Sequence, residues 1–460
     1  MKSSLFQEFN EVSAKEWKQK IQVDLKGADY NEKLIYNSLD GIAVKPFYHL
    51  EDLKESVTTP SPKDWNICER FFVGSVEKTN HLALKALEKG TESLWFIIPN
   101  EEVVPDTLFK NIPLEKTIIY LDFNFLSEAY FKRLRDYLKN KKHQVFLQID
   151  IIGNLARSGN WFYNLKKDHE ILDTIFANQN EFNSVVSIDS RLYQNAGATI
   201  PQQLAYSLAH ANEYLNHLQE KPNFKDIQLQ FLTASGANYF FEIAKIKALR
   251  WLFASLASTY KIPGNCHILA QPTKRNKTLY DYNVNLLRTT TESMSAILGG
   301  ANSIFNMPYD AIYHKNNKFG DRIARNQLLV LKHEAYFGKV SNAAEGAYYI
   351  ENLTRQFAEA ALDIFKEIEK NGGFLTQLKE GVIQRKIKES AQKEQEQFDN
   401  GELVLVGTNK FENEQDKMKD ELELYPFLKQ NPRKTLLEPI LEKRLSESLE
   451  QERLKQEKAD

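Results

Sequence analysis

The chain has 460 residues, of which 27% are charged, and its 60 Lys and Arg nearly balance its 62 Asp and Glu. A chain of this length fills one barrel-sized domain or divides into two, and the balanced charge gives no reason to expect a nucleic acid or an acidic membrane surface as partner. The two cysteines, Cys68 and Cys266, lie far apart without metal-ligand spacing, which is typical of reduced thiols and gives no pattern for a metal site.

Residues 1–79 are predicted to form an extended N-terminal arm that cannot bury itself alone and therefore wraps a partner. The arm contains an amphipathic start at Val12–Trp17 and an extended passage at Gly41–Tyr48. The N-terminus has no apolar core of a secretory signal, and the apolar runs of the chain fall far short of the ~20 residues of a membrane span. These features predict a cytoplasmic protein with no membrane-spanning segment.

Residues 80–411 alternate short β-branched and aromatic runs with longer helical patterns, which is typical of repeated βα units. About eight units without a Gly-rich phosphate turn favour a closed (β/α)8 TIM-type barrel over the alternative, an open α/β sheet. The predicted strands are 93–98, 116–123, 144–152, 184–193, 226–232, 266–271, 302–305 and a last one near Tyr348.

The segment Asn238–Leu256 is predicted to be a helix that directly follows one of these strands. Its apolar residues recur at spacings of three and four, which predicts one face packed against the sheet. The apolar face comprises Ile243, Ile246, Leu249, Phe253 and Leu256, and the opposite, wetter side is marked by Glu242, Lys245 and Arg250.

Residues 412–460 are predicted to form a charged helical C-terminal tail. A short helix with an apolar stripe is expected at Leu436–Leu445, followed by a solvated helix over Glu447–Asp460. Neither the arm nor the tail has the pattern of a catalytic domain.

Motifs along most of the chain resemble the methylmalonyl-CoA mutase family, in the same order as they occur there. The helix Asn238–Leu256 carries the clearest of them, Phe-Glu-Ile-Ala-Lys followed by Ala-x-Arg. The other matching segments are Asp40–Tyr48 with Asp52, Gln194–Ala198, Gln203–Ala209 with Glu213 and Tyr214, Arg288–Glu292, Leu298–Ser303, Arg322–Gln327, Tyr349–Thr354, Glu369–Gly373 and Leu405–Lys410.

The resemblance fails where catalytic chains of the family contact their substrate. In those chains a Tyr-His pair follows the fourth strand, just before the Gln-x-Ala-Gly-Ala element, and here Arg191 and Leu192 stand in its place. A histidine two residues beyond a serine is replaced by Phe305. Leucine donates no hydrogen bond, and a cation such as Arg191 needs a carboxylate partner in the cavity, for which Asp189 is the candidate.

Other family elements are reduced or absent in the sequence. The Arg-Gln-Tyr-Ala-Gly-Phe element of the substrate channel has shrunk to Trp65–Phe72, and Gln148 and Arg157 match the family's carboxylate-binding glutamine and arginine with a spacing one residue too short. The Asp-x-His-x-x-Gly motif of the cobalamin domain is missing, since no histidine follows His333. We expect no cobalamin-binding domain in this sequence.

The resemblance implies the small, non-catalytic subunit of a heterodimeric methylmalonyl-CoA mutase. Its large partner subunit would bind adenosylcobalamin and the acyl-CoA, and would interconvert (R)-methylmalonyl-CoA and succinyl-CoA. No catalytic, cofactor-binding or metal residue is assigned to this chain.

Two alternatives stay open from the sequence. An independent barrel enzyme could use strand-end carboxylates, for which Asp122, Asp150 and Asp189 are candidates. A different acyl-CoA mutase, or a helper in cobalamin loading, would keep the fold and change the partner.

Overall fold

A closed barrel of eight parallel strands forms the centre of the computed structural model, which describes residues 8–53, 61–428 and 433–459. The last strand pairs with the first, with Ser303 opposite Asn66, so the sheet has no open edge. The (β/α)8 barrel prediction is therefore confirmed. The strands are β1 Asn66–Phe72, β2 Ser93–Ile98, β3 Ile118–Phe123, β4 Gln144–Ile149, β5 Ser184–Asp189, β6 Gln230–Ser235, β7 His267–Pro272 and β8 Ser303–Phe305.

Helices surround the barrel and cover the outer face of its strands. The α-helices after β1 are Val76–Glu88, Pro105–Leu108, Glu128–Leu138, Ile151–Ser158, Leu165–Phe176, Arg191–Ala196, Ile200–Leu218, Tyr239–Tyr260, Val284–Leu298, Lys318–Leu329, Tyr348–Lys370, Gly373–Lys379 and Val382–Asp399, and a π-helical turn spans Val330–Glu334. Single 3-10 turns occur at Leu50–Asp52, Gln179–Glu181 and Phe224–Asp226.

The first and last strands of the barrel differ from the prediction. The strand expected near Tyr348 is wrong, because that residue begins a helix that buries Ile350, Leu353 and Phe357 at helical spacing. The true first strand, β1, lies inside the segment 1–79 that was assigned to the arm. Its apolar run is interrupted by two charged residues, and this interruption hid the strand.

The residues before β1 form small elements on the barrel surface. These are the helices Ala14–Asp24 and Tyr30–Leu34 and a two-stranded ribbon of Tyr36–Asn37 with Ala43–Val44. Ser13 caps the first helix in a reciprocal capping box with Glu16, which explains why the helix begins there. Residues 1–7 and 54–60 of the predicted arm lie outside the described residues.

The helix Tyr239–Tyr260 confirms the predicted βα unit, but the side of the helix that was predicted to face solvent is buried. Asn238 caps it, and the predicted apolar residues face the core, with Leu256 only partly buried. Glu242, Lys245 and Arg250 are also buried, contrary to the prediction, because Lys245 and Arg250 point toward neighbouring strand ends and loops and not toward solvent. Lys245 forms an ion pair with Glu242, and the Arg250 guanidinium donates to the carbonyls of Gly300 and Cys266.

The C-terminal tail is only partly helical. The expected helix at Leu436–Leu445 is wrong, because this segment has no regular secondary structure around Pro439 and its amides bond to the carbonyls of Gly159 and Ala156. The final helix spans Glu447–Ala459, and it is docked rather than solvated, since Tyr280 donates to its buried Glu457. Residues 429–432 and Asp460 lie outside the described residues.

Aromatic side chains fill the interior of the barrel. Trp95, Tyr120, Phe146 and Phe305 point inward from β2, β3, β4 and β8 and form one buried cluster. The Tyr120 hydroxyl lies 2.7 Å from both the Ser303 hydroxyl and Nε2 of His267. Burial lowers the pKa of His267 to about 3, so the imidazole is neutral in this core. Among the described residues, no helix combines the length and apolarity needed to cross a bilayer.

Candidate functional site

A polar cavity of about 470 Å³ lies at the carboxyl end of the barrel strands. TIM-barrel enzymes build their active sites at this end, from side chains at the strand ends and in the following loops. The charged side chains that line the cavity are Arg70, Asp122, Asp150, Arg157, Asp189, Arg191, Lys274 and Glu442.

The three strand-end carboxylates that the sequence singled out meet in this cavity. Asp150 is the N-cap of the helix Ile151–Ser158, where it accepts from the Gly153 amide at 2.7 Å, and it also accepts from the Tyr214 hydroxyl at 2.8 Å. A second oxygen of Asp150 accepts from the Asp189 amide at 2.9 Å. Asp150 is therefore occupied in holding the strand ends in place.

Asp189 pairs with Arg191, as predicted. The arginine Nε lies 2.6 Å from Oδ1 of Asp189, and a second nitrogen lies 2.7 Å from Oδ2. Although burial alone would raise it, Arg191 and Arg157 hold the pKa of Asp189 well below its usual range. Such a bidentate, doubly paired carboxylate is a poor proton acceptor.

The C-terminal tail contributes Glu442 to the same network. This carboxylate lies 2.6 Å from the Arg157 guanidinium and 3.3 Å from the Lys274 ammonium. Burial opposes the charge, but Lys274 and Arg157 lower the pKa of Glu442 to about 2. No local pattern predicts that the tail reaches the barrel mouth, because this contact joins residues 285 positions apart.

Gln148 and Arg157, the tentative carboxylate-binding pair, both line the cavity. Arg157 is already bound to Asp189 and Glu442, so its guanidinium is not free for a substrate carboxylate. Gln148 is 6% exposed, and neither polar atom of its amide has a hydrogen-bond partner among the described residues. Of these two residues, only Gln148 keeps groups that a ligand could bind.

The replaced family positions do not supply catalytic groups. Leu192 is 1% exposed and belongs to the apolar core rather than the cavity, and Phe305 belongs to the aromatic cluster inside the barrel. Arg191 lies at the cavity with its charge neutralised by Asp189.

Arg70 is a cavity residue that sequence reasoning did not assign. It lies on β1, and its guanidinium carbon lies 4.4 Å from the Phe305 ring centre and 5.2 Å from that of Trp95. The sequence signal for Arg70 was a charged residue within a largely apolar run. On a barrel strand, such a residue indicates that a ligand or an oppositely charged side chain lies nearby.

Adenosylcobalamin does not fit the residues at this mouth. The described residues that line the cavity include no histidine to ligate cobalt, and Glu442 of the tail occupies part of the rim. No step of a cobalamin reaction is assigned to these residues.

Fold and site together place the chain in the class of (β/α)8 barrel proteins with a polar cavity at the carboxyl ends of the strands. The family model described as methylmalonyl-CoA mutase matches residues 105–458, most of the chain. The chain belongs to the methylmalonyl-CoA mutase family, whose members are isomerases.

Individual relatives show the same relationship. The methylmalonyl-CoA mutase small subunit of Porphyromonas gingivalis is 34% identical over 90% of this chain and 72% of its own length. The small subunit of Streptomyces virginiae is 28% identical over 84% of this chain and 68% of its own length. A methylmalonyl-CoA mutase of Cereibacter sphaeroides is 29% identical over 86% of this chain and 64% of its own length.

Proposed function

We propose that this chain is the small, non-catalytic subunit of a heterodimeric, adenosylcobalamin-dependent methylmalonyl-CoA mutase. The large subunit would carry the cobalamin, bind the acyl-CoA and interconvert (R)-methylmalonyl-CoA and succinyl-CoA. This chain would support the partner's fold and active site, in the cytoplasm.

The barrel interior carries this proposal. Trp95, Tyr120, Phe146 and Phe305 occupy the space below the mouth, and the channel-forming element of the family is replaced here by the strand that supplies Arg70. A pantetheine arm could enter only if these buried rings moved. Burying a large aromatic side chain stabilises the fold by ~2 kcal/mol or more, so this displacement is unfavourable.

The lost hydrogen-bond donor supports the same conclusion. A preorganised donor to a developing oxyanion contributes about 3–4 kcal/mol to transition-state stabilisation, and Leu192 supplies none. The ion pairs of Asp189 with Arg191 and Arg157 neutralise the charged side chains next to this position.

The segment before the barrel offers a surface for the partner. The helix Ala14–Asp24 buries none of its residues, and the exposed fraction is 50% for Trp17 and 71% for Val23. Exposed apolar side chains clustered on one short helix are typical of a protein interface. We therefore infer that the arm, within residues 1–79, contacts the large subunit, with the barrel and the tail of residues 412–460 forming the body of the chain.

Co-expression with candidate cobalamin-binding chains tests the proposal. We expect affinity capture of this chain to recover a large subunit together with the absorbance of bound cobalamin, whereas the chain alone recovers no corrin. The variant Trp17→Ala should weaken capture at least about tenfold, since a buried aromatic anchor is worth ~2 kcal/mol or more. Leu287→Ala, an exposed apolar residue on the barrel wall, is the matched control. A chain that stays monomeric with every such partner, or that binds cobalamin alone, would contradict the proposal.

A further inference from the structure

Most charges in the mouth cavity neutralise one another. Asp189 and Glu442 together bind Arg191, Arg157 and Lys274, and Asp150 is held by hydrogen bonds from Tyr214 and two amides. Within the described part of the chain, Arg70 and Asp122 line the same cavity without an ion pair or a side-chain hydrogen bond. The cavity therefore retains one cation and one carboxylate that no side chain engages by a direct ion pair or hydrogen bond, although they attract each other at longer range.

The Arg70 guanidinium is held by aromatic rings and not by carboxylates. Its guanidinium carbon lies near the ring centres of Phe305 and Trp95, and that of Arg191 lies 4.7 Å from the Trp95 ring centre. Burial and then the nearby Arg191 charge lower the pKa of Arg70 to about 10, so it stays charged at neutral pH. A planar guanidinium that packs near aromatic rings and has no ion-pair partner is suited to bind a carboxylate in its plane.

Asp122 and Gln148 lie side by side on neighbouring strands. They are register partners of β3 and β4, and both side chains line the cavity. Gln148 is buried and leaves both an amide donor and a carbonyl acceptor unpartnered in the described chain. Buried polar atoms of this kind normally have a partner in the protein or in a bound molecule.

We propose that the cavity binds a zwitterionic α-amino acid with an apolar side chain. Its carboxylate would bind the edge of Arg70 and the Gln148 amide nitrogen, and its ammonium would bind Asp122 and the Gln148 carbonyl. The apolar side chain would pack on Phe125 and Phe162, which also line the cavity. A ligand with a single charge leaves either Arg70 or Asp122 unsatisfied, and an unpartnered buried charge is unfavourable. This inference goes beyond the supporting role in a mutase and does not depend on it.

Calorimetric titration of the full chain with three probes tests the proposal. The probes are L-leucine, 4-methylpentanoate, which lacks the ammonium, and 3-methylbutylamine, which lacks the carboxylate. We expect L-leucine to bind at least tenfold more tightly than either analogue. Arg70→Met and Asp122→Asn should each weaken L-leucine binding at least tenfold, whereas Asp136→Asn, an exposed carboxylate outside the cavity, should leave it unchanged.

The ratio of the affinities for L-leucine and 4-methylpentanoate separates recognition of a zwitterion from recognition of a carboxylate alone. For Asp122→Asn, L-leucine and 4-methylpentanoate should bind with similar affinity, because the ammonium has lost its partner. Thermal unfolding without ligand establishes that each variant is folded. The proposal is overturned if 4-methylpentanoate binds wild-type protein as tightly as L-leucine, or if L-leucine, L-valine and L-phenylalanine all fail to bind at millimolar concentration.

Discussion

At the level of single residues, Glu442 links the tail to the barrel mouth. Its carboxylate bridges Arg157 and Lys274, and Arg157 continues to Asp189. Because Asp189 and Glu442 both have pKa values below those of unfolded carboxyl groups, their ionisation stabilises the folded state. This stability is fully present above about pH 5 and is lost as the pH falls toward 2.

The variant Glu442→Gln tests this linkage. At pH 7 we expect this substitution to lower the free energy of unfolding by about 2 kcal/mol. The side chain is partly shielded from solvent, and the neutral glutamine no longer forms ion pairs with its two cationic partners. The difference from wild type should shrink as the pH falls to about 2.5, where the native glutamate also begins to accept a proton. Urea unfolding at pH 7, 4 and 2.5 measures this difference in the free energy of unfolding, and Asp136→Asn, at an exposed carboxylate, is the control. A difference that is equal at all three pH values would contradict the assignment.

At the level of elements, a buried ion pair joins the helix Tyr239–Tyr260 to the outer helix Tyr348–Lys370. Nζ of Lys247 lies 3.1 Å from Oε1 of Glu351, and their side chains are 1% and 3% exposed. Removing one partner leaves the other charge buried and unpaired. Replacing both partners removes the attraction between them but also removes the cost of taking both charges out of water. The pair therefore fixes how the two helices dock more than it adds net stability.

A double-mutant cycle tests this helix contact. We expect Lys247→Met and Glu351→Met each to lower the free energy of unfolding by about 3 kcal/mol, and the double variant to be more stable than either single variant. The exposed pair Lys20 and Asp24 is the control, and its single variants should cost less than about 1 kcal/mol. Additive effects of the two buried substitutions, measured by urea denaturation, would contradict the coupling.

The docking of the tail can be tested at a single glycine. Gly159 ends the helix Ile151–Ser158 with φ of +77°, and a Cβ there would lie 2.7 Å from the Leu437 carbonyl oxygen. Gly346 has φ of +75° with nothing within 4 Å of its Cβ position, so Gly346→Ala reports the backbone cost alone.

We expect Gly346→Ala to lower the free energy of unfolding by about 1 kcal/mol and Gly159→Ala to lower it by about 1–2 kcal/mol more. Gly159→Ala should also speed hydrogen exchange at the amides of Leu436 and Ile440, which bond to the carbonyls of Gly159 and Ala156. Equal costs for the two variants, with unchanged exchange, would show that the tail does not pack on Gly159.

The elements that were predicted correctly are those with a local signal. Strands such as Ser93–Ile98 are continuous apolar runs, and the helix after β6 has both a cap and apolar periodicity. β1 was missed because Glu69 and Arg70 interrupt it, and their roles are set by distant residues: Glu69 pairs with Arg325 at 2.7 Å, and Arg70 faces the cavity. The non-helical tail at Leu436–Leu445 likewise depends on bonds to Gly159 and Ala156 that its own sequence does not reveal.

The candidate site was likewise predictable where the signal was local and unpredictable where it depends on distant residues. Strand-end carboxylates meet at one end of any parallel barrel, so Asp122, Asp150 and Asp189 could be expected to share a cavity. Which of them stays unpaired could not be predicted, because the partners Tyr214, Arg157 and Glu442 come from separate parts of the fold.

At the level of the whole molecule, the chain is a closed barrel whose interior is filled by side chains. Aromatic rings occupy the space below the mouth, ion pairs neutralise most of the strand-end charges, and the tail closes part of the rim. The exposed helix Ala14–Asp24 is available to a partner. This combination is the basis of the proposal that the chain is a supporting subunit.

Mutase turnover by the purified chain is the most direct test of this account. The chain is assayed with (R)-methylmalonyl-CoA and saturating adenosylcobalamin, first alone and then after assembly with a cobalamin-binding large subunit, and succinyl-CoA is measured. We expect no succinyl-CoA above background from the chain alone and steady turnover from the complex. Robust turnover by the chain alone would contradict a supporting role.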